Sequence, residues 1–252
     1  MKEIDFNCDV GESYGNFKVG NDEALMPLIS SCNIACGFHG GDPLTIEKTV
    51  KLALNNNVQI GAHPSYPDLM GFGRRYIQLP IDELQAVVKY QISSLKGITE
   101  SLGGKLSYVK PHGALYNSIA NNEEEAIAVI EAILMLDEDL AIMGLAGSKL
   151  ENTAQKKNIK FIKEGFADRN YLPNGNLAPR SEEDSVISSV EETVAQILDI
   201  VEKGKVKTAE SEIDLHVDSI CIHGDNPLAI EILQEVHNLV HQQQLSIKKF
   251  TI

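Results

Sequence analysis

The sequence predicts an α/β fold in which helices cover a parallel β-sheet. Short apolar runs that are typical of buried strands alternate with amphipathic helical patterns along the whole 252-residue chain. Seven consecutive strand–helix units favour a parallel sheet with its helices outside. These patterns alone do not distinguish between two arrangements of the sheet, a barrel of the TIM type and an open doubly wound sheet.

Each strand is predicted from a short apolar run. The predicted strands lie near residues 3–9, 32–38, 58–62, 106–111, 140–145, 160–166 and 218–223. The segment KVKTAESEIDLH is too short for a further unit and is predicted to form a hairpin before the last strand. The closing segment LSIKKFTI is a candidate for an extra strand.

The connecting segments carry helix signals. In DPLTIEKTVKLALNN, Asp42 is a predicted N-cap and Pro43 takes the first helical position. The amphipathic segment that begins at Pro80 ends at Gly103, and a further helix is expected over 181–204. Pro27 interrupts the helical pattern of NDEALMPLISS. No linker-like stretch divides the chain, so one domain over residues 1–252 is predicted.

Composition narrows the class of protein. The net charge is −14, from 22 basic and 36 acidic residues, which disfavours binding to nucleic acid or to an anionic membrane. The first residues lack the apolar core of a signal peptide, so a cytoplasmic location is expected. The cysteine spacing does not suggest a disulfide framework, and all four thiols are expected to be buried and reduced.

Four predicted strands end at a histidine that Gly or Pro follows: IACGFHGGDP, IGAHPSYPD, YVKPHGALY and ICIHGDNP. These residues are His39, His63, His112 and His223. Each histidine falls in the strand phase opposite the more apolar face, which the helices must cover, so it should point inward. Ligands bind at the carboxyl ends of parallel strands, and the four histidines are therefore predicted to converge on one site.

The first strand adds acidic and amide groups. Asp5, Asn7 and Asp9 share its polar face, and Glu12 follows in the loop of DFNCDVGES. Carboxylates beside imidazoles suit general base catalysis or a divalent metal. The alternative is a structural network at the barrel floor, which is favoured more for Asp5 than for Asp9.

The basic residues near the predicted site are few. All four arginines lie in loops after the third and sixth strands: Arg74, Arg75, Arg169 and Arg180. Arginine in these loops suggests planar contacts to a carboxylate or phosphate, although a loop-tethering ion pair is favoured for Arg180. Lys110 faces the same interior as His112 and could hold an anion or pair with Asp9 or Glu164. The motifs GxxxxGK[ST] and GxSxG are absent.

Six motifs together resemble the LamB/YcsF family: DFNCDVGESYG, NIACGFHGGDP, IGAHPSYPDLMGFGRR, VKPHGALYN, FADRNYLPNGNLAPRS and CIHGDNP. The resemblance covers residues 3–230 and implies a β/α barrel with about seven parallel strands, related to glycoside hydrolases and polysaccharide deacetylases. It also implies the A subunit of a 5-oxoprolinase, which cleaves 5-oxo-L-proline to L-glutamate. That reaction is coupled to ATP hydrolysis, with Mg²⁺ as the ion of the nucleotide and with partner subunits B and C.

The residues and the resemblance together give a candidate site. The candidate catalytic residues are Asp9, His39, His63, Lys110, His112 and His223. The candidate substrate-binding residues are Asn7, Glu12, Arg74, Arg75, Asp168 and Arg169. In deacetylase barrels an Asp and two His bind a divalent metal, and by position their counterparts are Asp9, His39 and His63. Two alternatives stay open, a metal-dependent deacetylase-like hydrolase and a non-catalytic lactam-binding subunit.

Overall fold

The computed structural model describes residues 2–180, 182, 185–242 and 245–251, which form a closed β/α barrel. Its strands are β1 Lys2–Val10, β2 Ser31–Ala35, β3 Gln59–His63, β4 Leu106–Val109, β5 Ala141–Leu145, β6 Phe161–Phe166, β7 Lys205–Lys207, β8 Glu212–Asp214, β9 Ser219–Ile222 and β10 Leu245–Ile247. The parallel order runs from β1 through β6 to β9, and β9 also pairs with β1 and so closes the barrel. The barrel prediction is confirmed, and the open doubly wound sheet is excluded.

Helices surround this barrel. They are α1 Asp22–Leu25, α2 Pro43–Asn55, α3 Ile81–Ser101, α4 Gly113–Ile119, α5 Glu123–Leu136, α6 Lys149–Lys156, α7 Val190–Leu198 and α8 Ala229–His241. A 3₁₀ turn containing Pro27 follows α1, and a π-helical turn follows α7. Asp42 caps α2 as predicted, because its carboxylate accepts from the backbone N–H of Leu44 at 3.0 Å and of Thr45 at 2.9 Å. Among the described residues, no helix combines the length and apolar character needed to cross a membrane.

Two predicted elements are shorter than expected. The strand predicted over 32–38 ends at Ala35, where Gly37 and Gly41 turn the chain with φ of 90° and 80°. The helix predicted over 181–204 begins at Val190, and Val186 instead forms a bridge with Arg169. Residues 181, 183 and 184 of that prediction lie outside the described residues.

The barrel interior is polar at its floor, as the phase of β1 predicts. Asp5 accepts hydrogen bonds from Ser30 Oγ at 2.6 Å and Ser31 Oγ at 2.7 Å, and from Ser219. Next along the strand, Asn7 donates to Ser219 Oγ at 2.8 Å. The alternate residues of β1, such as Phe6, belong to the apolar core under the helices. Asp5 is therefore part of a structural network, as favoured from the sequence.

Residues near the carboxyl terminus lie at this same, amino-terminal end of the barrel. Strand β10 pairs in parallel with the start of β1, so that Leu245 lies opposite Lys2. Beyond it, the ring of Phe250 packs at 5.2 Å against that of Tyr108. Strands β7 and β8 form the predicted antiparallel hairpin, and all four cysteines are buried free thiols, as predicted.

Candidate active site

A pocket opens at the carboxyl ends of the barrel strands, where the four histidines were predicted to meet. Predicted site residues that line it are Asp9, Glu12, His63, Arg74, Lys110, His112, Arg169 and His223. Lining residues outside that predicted set include Phe72, Tyr116, Asn117, Phe166, Arg180 and Asp225. Most of the polar residues that line the pocket were thus predicted from strand phase. The aromatic residues that line it were not predicted.

Lys110 lies at the base of this pocket and is almost completely buried. Its Nζ lies 2.9 Å from Asp9 Oδ1 and 2.7 Å from Glu164 Oε1, so it pairs with both carboxylates that the sequence offered. Burial alone would lower the pKa of Lys110, but the negative charge of Asp9 raises it well above its usual value. Burial would likewise raise the pKa of Asp9, but His63 and Lys110 hold it well below its usual range. This ion pair is therefore charged at neutral pH.

Three of the histidines form one buried cluster with Glu12. His63 Nε2 lies 2.9 Å from His112 Nδ1, and the rings of His112 and His39 stack at 3.8 Å with an interplanar angle of 3°. His39 Nε2 lies 3.2 Å from Glu12 Oε1. His63 also approaches Asp9, with 3.4 Å between Nε2 and Oδ2. Imidazoles and carboxylates at these distances can exchange a proton or share a cation.

The three histidines of this cluster come from different positions in the fold. His63 is the last residue of β3, whereas His112 follows β4 and His39 lies in the loop that follows β2. Gly73 makes their close packing possible, because a Cβ there would lie 2.7 Å from His112 Cδ2 and 2.8 Å from His39 Cβ. The sharp turn at Gly37 returns the loop toward the barrel axis, so His39 joins the cluster without being in the strand.

The environment of the cluster shifts its ionisation. Burial lowers the pKa of His39 and of His112 well below the usual value, and the charge of His63 adds to the effect on both. Burial raises the pKa of Glu12 well above its usual value, and the negative charge of Asp9 adds to that effect. Such shifts are typical of functional sites.

His223 lies on the other side of the pocket and forms a separate pair with Asp168. Its Nδ1 lies 2.8 Å from Asp168 Oδ1, and Asn226 donates to Asp168 Oδ2 at 2.9 Å. Burial would raise the pKa of Asp168, but the charge of His223 and these hydrogen bonds lower it to about 2. An ionised carboxylate therefore orients the imidazole, and the ring of His223 stacks on Phe166 at 5.3 Å.

Three arginines converge at the rim. Arg74 contacts Asp225 at 2.5 Å, and the buried Arg169 donates from Nε to the carbonyl oxygen of Ser185 at 3.0 Å. Burial and the positive charge of Arg180 together lower the pKa of Arg169 to about 10. Arg180 and Arg74 thus lie close enough to Arg169 for their positive charges to repel its own.

The buried group Glu12, His39, His63 and His112 could bind a metal ion, because one ligand atom from each lies within 4.8 Å of the others. The sequence had implied Asp9 with His39 and His63. In the structure Asp9 Oδ1 accepts from Lys110 and, at 2.8 Å, from Asn33. The metal-capable group that contains Asp9 joins it to Cys221 and His223 instead.

Three predicted substrate-binding residues are not presented to the pocket. Asn7 lies deeper, where its Oδ1 accepts from Asn33 at 2.7 Å and from Lys110 at 3.2 Å. Arg75 turns away from its neighbour Arg74 and pairs with Asp68, leaving its side chain 66% exposed. Asp168 directs both oxygens to His223 and its neighbours. Substrate contact by these residues stays a prediction.

Some of the residues that the sequence did not assign had detectable signals. Asp225 belongs to the quoted motif CIHGDNP, two residues after His223, and Glu164 was noted only as a partner for Lys110. Tyr116 and Phe166 also lie in quoted motifs, VKPHGALYN and FADRNYLPNGNLAPRS, but a lone aromatic residue near a strand end is usually part of the core, so neither indicated a pocket wall.

Several known proteins are similar to this chain over nearly its whole length. The model of the LamB/YcsF family matches residues 4–252. A protein from Pyrococcus furiosus that is named as the A subunit of 5-oxoprolinase is 46% identical over 246 residues, which are 97% of this chain and 96% of that protein. The protein of the same name from Photorhabdus laumondii is 45% identical over 251 residues, 99% of this chain and 100% of that protein.

Solved structures show the same fold. The crystal structure of a lactam utilization protein from Thermus thermophilus has a TM-score of 0.92 and 40% identity, covering 98% of this chain and 100% of that chain. The catalytic domain of a peptidoglycan N-acetylglucosamine deacetylase from Eubacterium rectale has a TM-score of 0.52 at 8% identity, covering 99% and 89%. The second likeness concerns the fold alone.

Proposed function

Because the chain belongs to the LamB/YcsF family, we propose that it is the amide-cleaving subunit of an ATP-dependent 5-oxoprolinase, which converts 5-oxo-L-proline to L-glutamate. The family resemblance seen in the six sequence motifs is confirmed. The names of the relatives support the substrate. The observation that carries the proposal is a single pocket that joins the His223–Asp168 pair, the Asp9–Lys110 pair and a buried arginine, Arg169.

The rim of the pocket suits the carboxylate of 5-oxoproline. Arg180 and Arg74 both lower the pKa of Arg169, so three positive charges repel one another there. An anion placed among them relieves that repulsion and can accept planar, charge-assisted hydrogen bonds from a guanidinium group. We assign this contact to Arg74 and Arg169, with Glu12 on the same wall.

The two ion-paired groups suit the chemistry of a cyclic amide. His223 directs Nδ1 to Asp168, which leaves Nε2 to protonate the departing amide nitrogen. The buried ammonium group of Lys110 stabilises negative charge that develops on the carbonyl oxygen. Asp9 stays ionised and keeps Oδ2 toward the His63 side, where it can orient the attacking water.

A metal ion fits the histidine cluster chemically. Glu12, His63 and His112 would hold it, with His39 packed beside them, since imidazole and carboxylate donors suit a divalent ion. When bound, such an ion supplies Lewis-acid polarisation of an oxygen and a more acidic water. His39 and His112 also exclude bulk water from this wall, because both are buried.

We assign the activation of the lactam by ATP to the complete enzyme rather than to this chain alone. Ring opening of a five-membered lactam has little driving force. Transfer of the γ-phosphoryl group of ATP to the amide oxygen, with release of ADP, would make the carbonyl carbon a better electrophile, and phosphate would leave after water adds to that carbon. The sequence contains no GxxxxGK[ST] loop, and its net charge of −14 opposes capture of a polyanion away from the rim arginines. Subunits B and C, with ATP and Mg²⁺, would supply that step.

The test uses the purified chain with 5-oxoproline, ATP and Mg²⁺, and it measures glutamate release with and without the two other subunits. We expect release only from the complete mixture. Full activity of the chain alone would contradict the division of labour, and no glutamate from the complete mixture would contradict the function. Acetate release from acetylated sugars would instead favour a deacetylase, and activity that survives loss of the imidazoles would indicate a lactam-binding subunit.

A further inference from the structure

Two histidines in the pocket direct ring nitrogens at each other. His63 Nδ1 lies 2.6 Å from the carbonyl oxygen of Lys110, and His112 Nε2 lies 2.9 Å from that of Phe72. A carbonyl oxygen only accepts hydrogen bonds, so each of these nitrogens carries a hydrogen. The backbone therefore fixes the tautomers of both imidazoles.

The fixed tautomers leave two lone pairs face to face. In the neutral rings the remaining nitrogens are His63 Nε2 and His112 Nδ1, which lie 2.9 Å apart. While both rings are neutral, neither can donate to the other, so the contact is repulsive unless a proton or a metal cation lies between the two nitrogens. A third lone-pair donor is close, since Glu12 Oε1 lies 3.6 Å from His112 Nδ1. The three residues are all buried, so water does not screen this repulsion well.

We propose that Glu12, His63 and His112 bind a transition-metal dication of the Zn²⁺ class. Ligands bound tetrahedrally at about 2.1 Å are separated by about 3.4 Å; the separations from His112 to His63 and to Glu12, 2.9 and 3.6 Å, lie on either side of that value, and all three ligand atoms lie within 4.8 Å of one another. Two imidazoles and one carboxylate suit zinc, whereas Mg²⁺ prefers oxygen ligands. This ion is thus distinct from the Mg²⁺ that accompanies ATP, and its three ligand residues line the pocket.

His39 acts on this site as a positioning residue. Its Nε2 lies 3.2 Å from Glu12 Oε1, and its ring stacks on His112 at 3.8 Å, so it holds one ligand by a hydrogen bond and another by packing. Asp9 stays outside the ligand set, because Lys110 and Asn33 occupy its Oδ1. The site therefore differs from the Asp9, His39 and His63 set that the family resemblance implied.

The test is made on the isolated wild-type chain after treatment with a chelator, without substrate or partner subunits. Calorimetric titration with ZnCl₂ should show one ion bound per chain, and excess MgCl₂ should not displace it. The variants Glu12→Gln and His112→Asn should bind Zn²⁺ at least about tenfold more weakly. The control variant His237→Asn, whose histidine contacts the carbonyl oxygen of Leu28 instead, should bind as wild type does.

Anomalous diffraction from zinc-soaked wild-type crystals answers the question even if a variant fails to fold. We expect a peak between Glu12, His63 and His112. A peak elsewhere, binding of less than a tenth of an ion per chain, or unchanged affinity in both folded variants would overturn the proposal. Since zinc binding is measured without 5-oxoproline, this result is independent of the lactam cleavage proposed above.

Discussion

Lys110 and Glu164 form an ion pair of 2.7 Å inside the barrel, where the lysine side chain is 2% exposed and the glutamate side chain is 0% exposed. The same ammonium group also pairs with Asp9. One ammonium group is therefore shared by two carboxylates at the base of the pocket.

Replacing Lys110 by Met should remove the positive charge that Asp9 and Glu164 share. We expect Lys110→Met to lower the free energy of unfolding by about 3–5 kcal/mol, because two buried carboxylates lose their partner. Urea denaturation measures the change. The control Lys51→Met breaks an exposed pair with Glu47 and should cost less than about 1 kcal/mol. Equal stabilities of the two variants would contradict this account.

The adjacent arginines Arg74 and Arg75 should differ in their effect on substrate binding. Arg74 lines the pocket, whereas Arg75 pairs with Asp68 outside it. In the assembled enzyme, Arg74→Ala should raise KM for 5-oxoproline about tenfold or more, because a charge-assisted contact to the carboxylate is lost. Arg75→Ala should leave KM nearly unchanged. A larger effect of Arg75→Ala would mean that the loop rearranges when substrate binds.

Asp5 should make stability depend on pH in an unusual direction. Burial raises the pKa of Asp5 to about 6, so the folded state binds this proton more tightly than the unfolded state does. The contribution of Asp5 to the free energy of unfolding is fully present below about pH 4, near the pKa of the unfolded state. It is lost as pH rises through about 6. The total change is about 3 kcal/mol, because the pKa rises from 3.8 to about 6 on folding.

The variant Asp5→Asn isolates that contribution, because an amide can keep hydrogen bonds to Ser30 and Ser219 without titrating. Denaturant unfolding at several pH values compares the two proteins. We expect the stability of wild type relative to the variant to increase as pH falls from 7 to 4. A constant difference across that range would show that Asp5 does not titrate as described.

The strand residues that point into the barrel could be predicted from the sequence. Side chains alternate between the two faces of a strand, and this alternation does not depend on the loops. It placed Asp9, Lys110 and His63 in the interior, and all three line the pocket. His39 was also placed near the site, but as part of a strand. In fact the strand ends at Ala35 and a glycine turn brings this histidine back.

Contacts between side chains in the loops after the strands could not be predicted in the same way. Asp168 and His223 follow β6 and β9, which the predicted hairpin separates along the chain and which pair directly in the barrel. Strand phase gave the ends of these strands, but not that the two side chains after them turn toward each other. The divergence of Arg74 and Arg75 depends on Asp68 in the same loop, and neighbouring arginines in a loop sequence give no indication of which one turns inward.

The central claim is that the lactam bond is cleaved in this chain's pocket, and Asp9→Asn tests it directly. The variant keeps the shape of the side chain and leaves the Lys110–Glu164 pair in place. In the assembled enzyme with ATP and Mg²⁺, glutamate release should fall by about 100-fold or more, since the asparagine cannot supply the charge that orients the water. The melting temperature of the variant chain should stay within a few degrees of wild type. Near-normal glutamate release from a correctly assembled Asp9→Asn enzyme would contradict the claim.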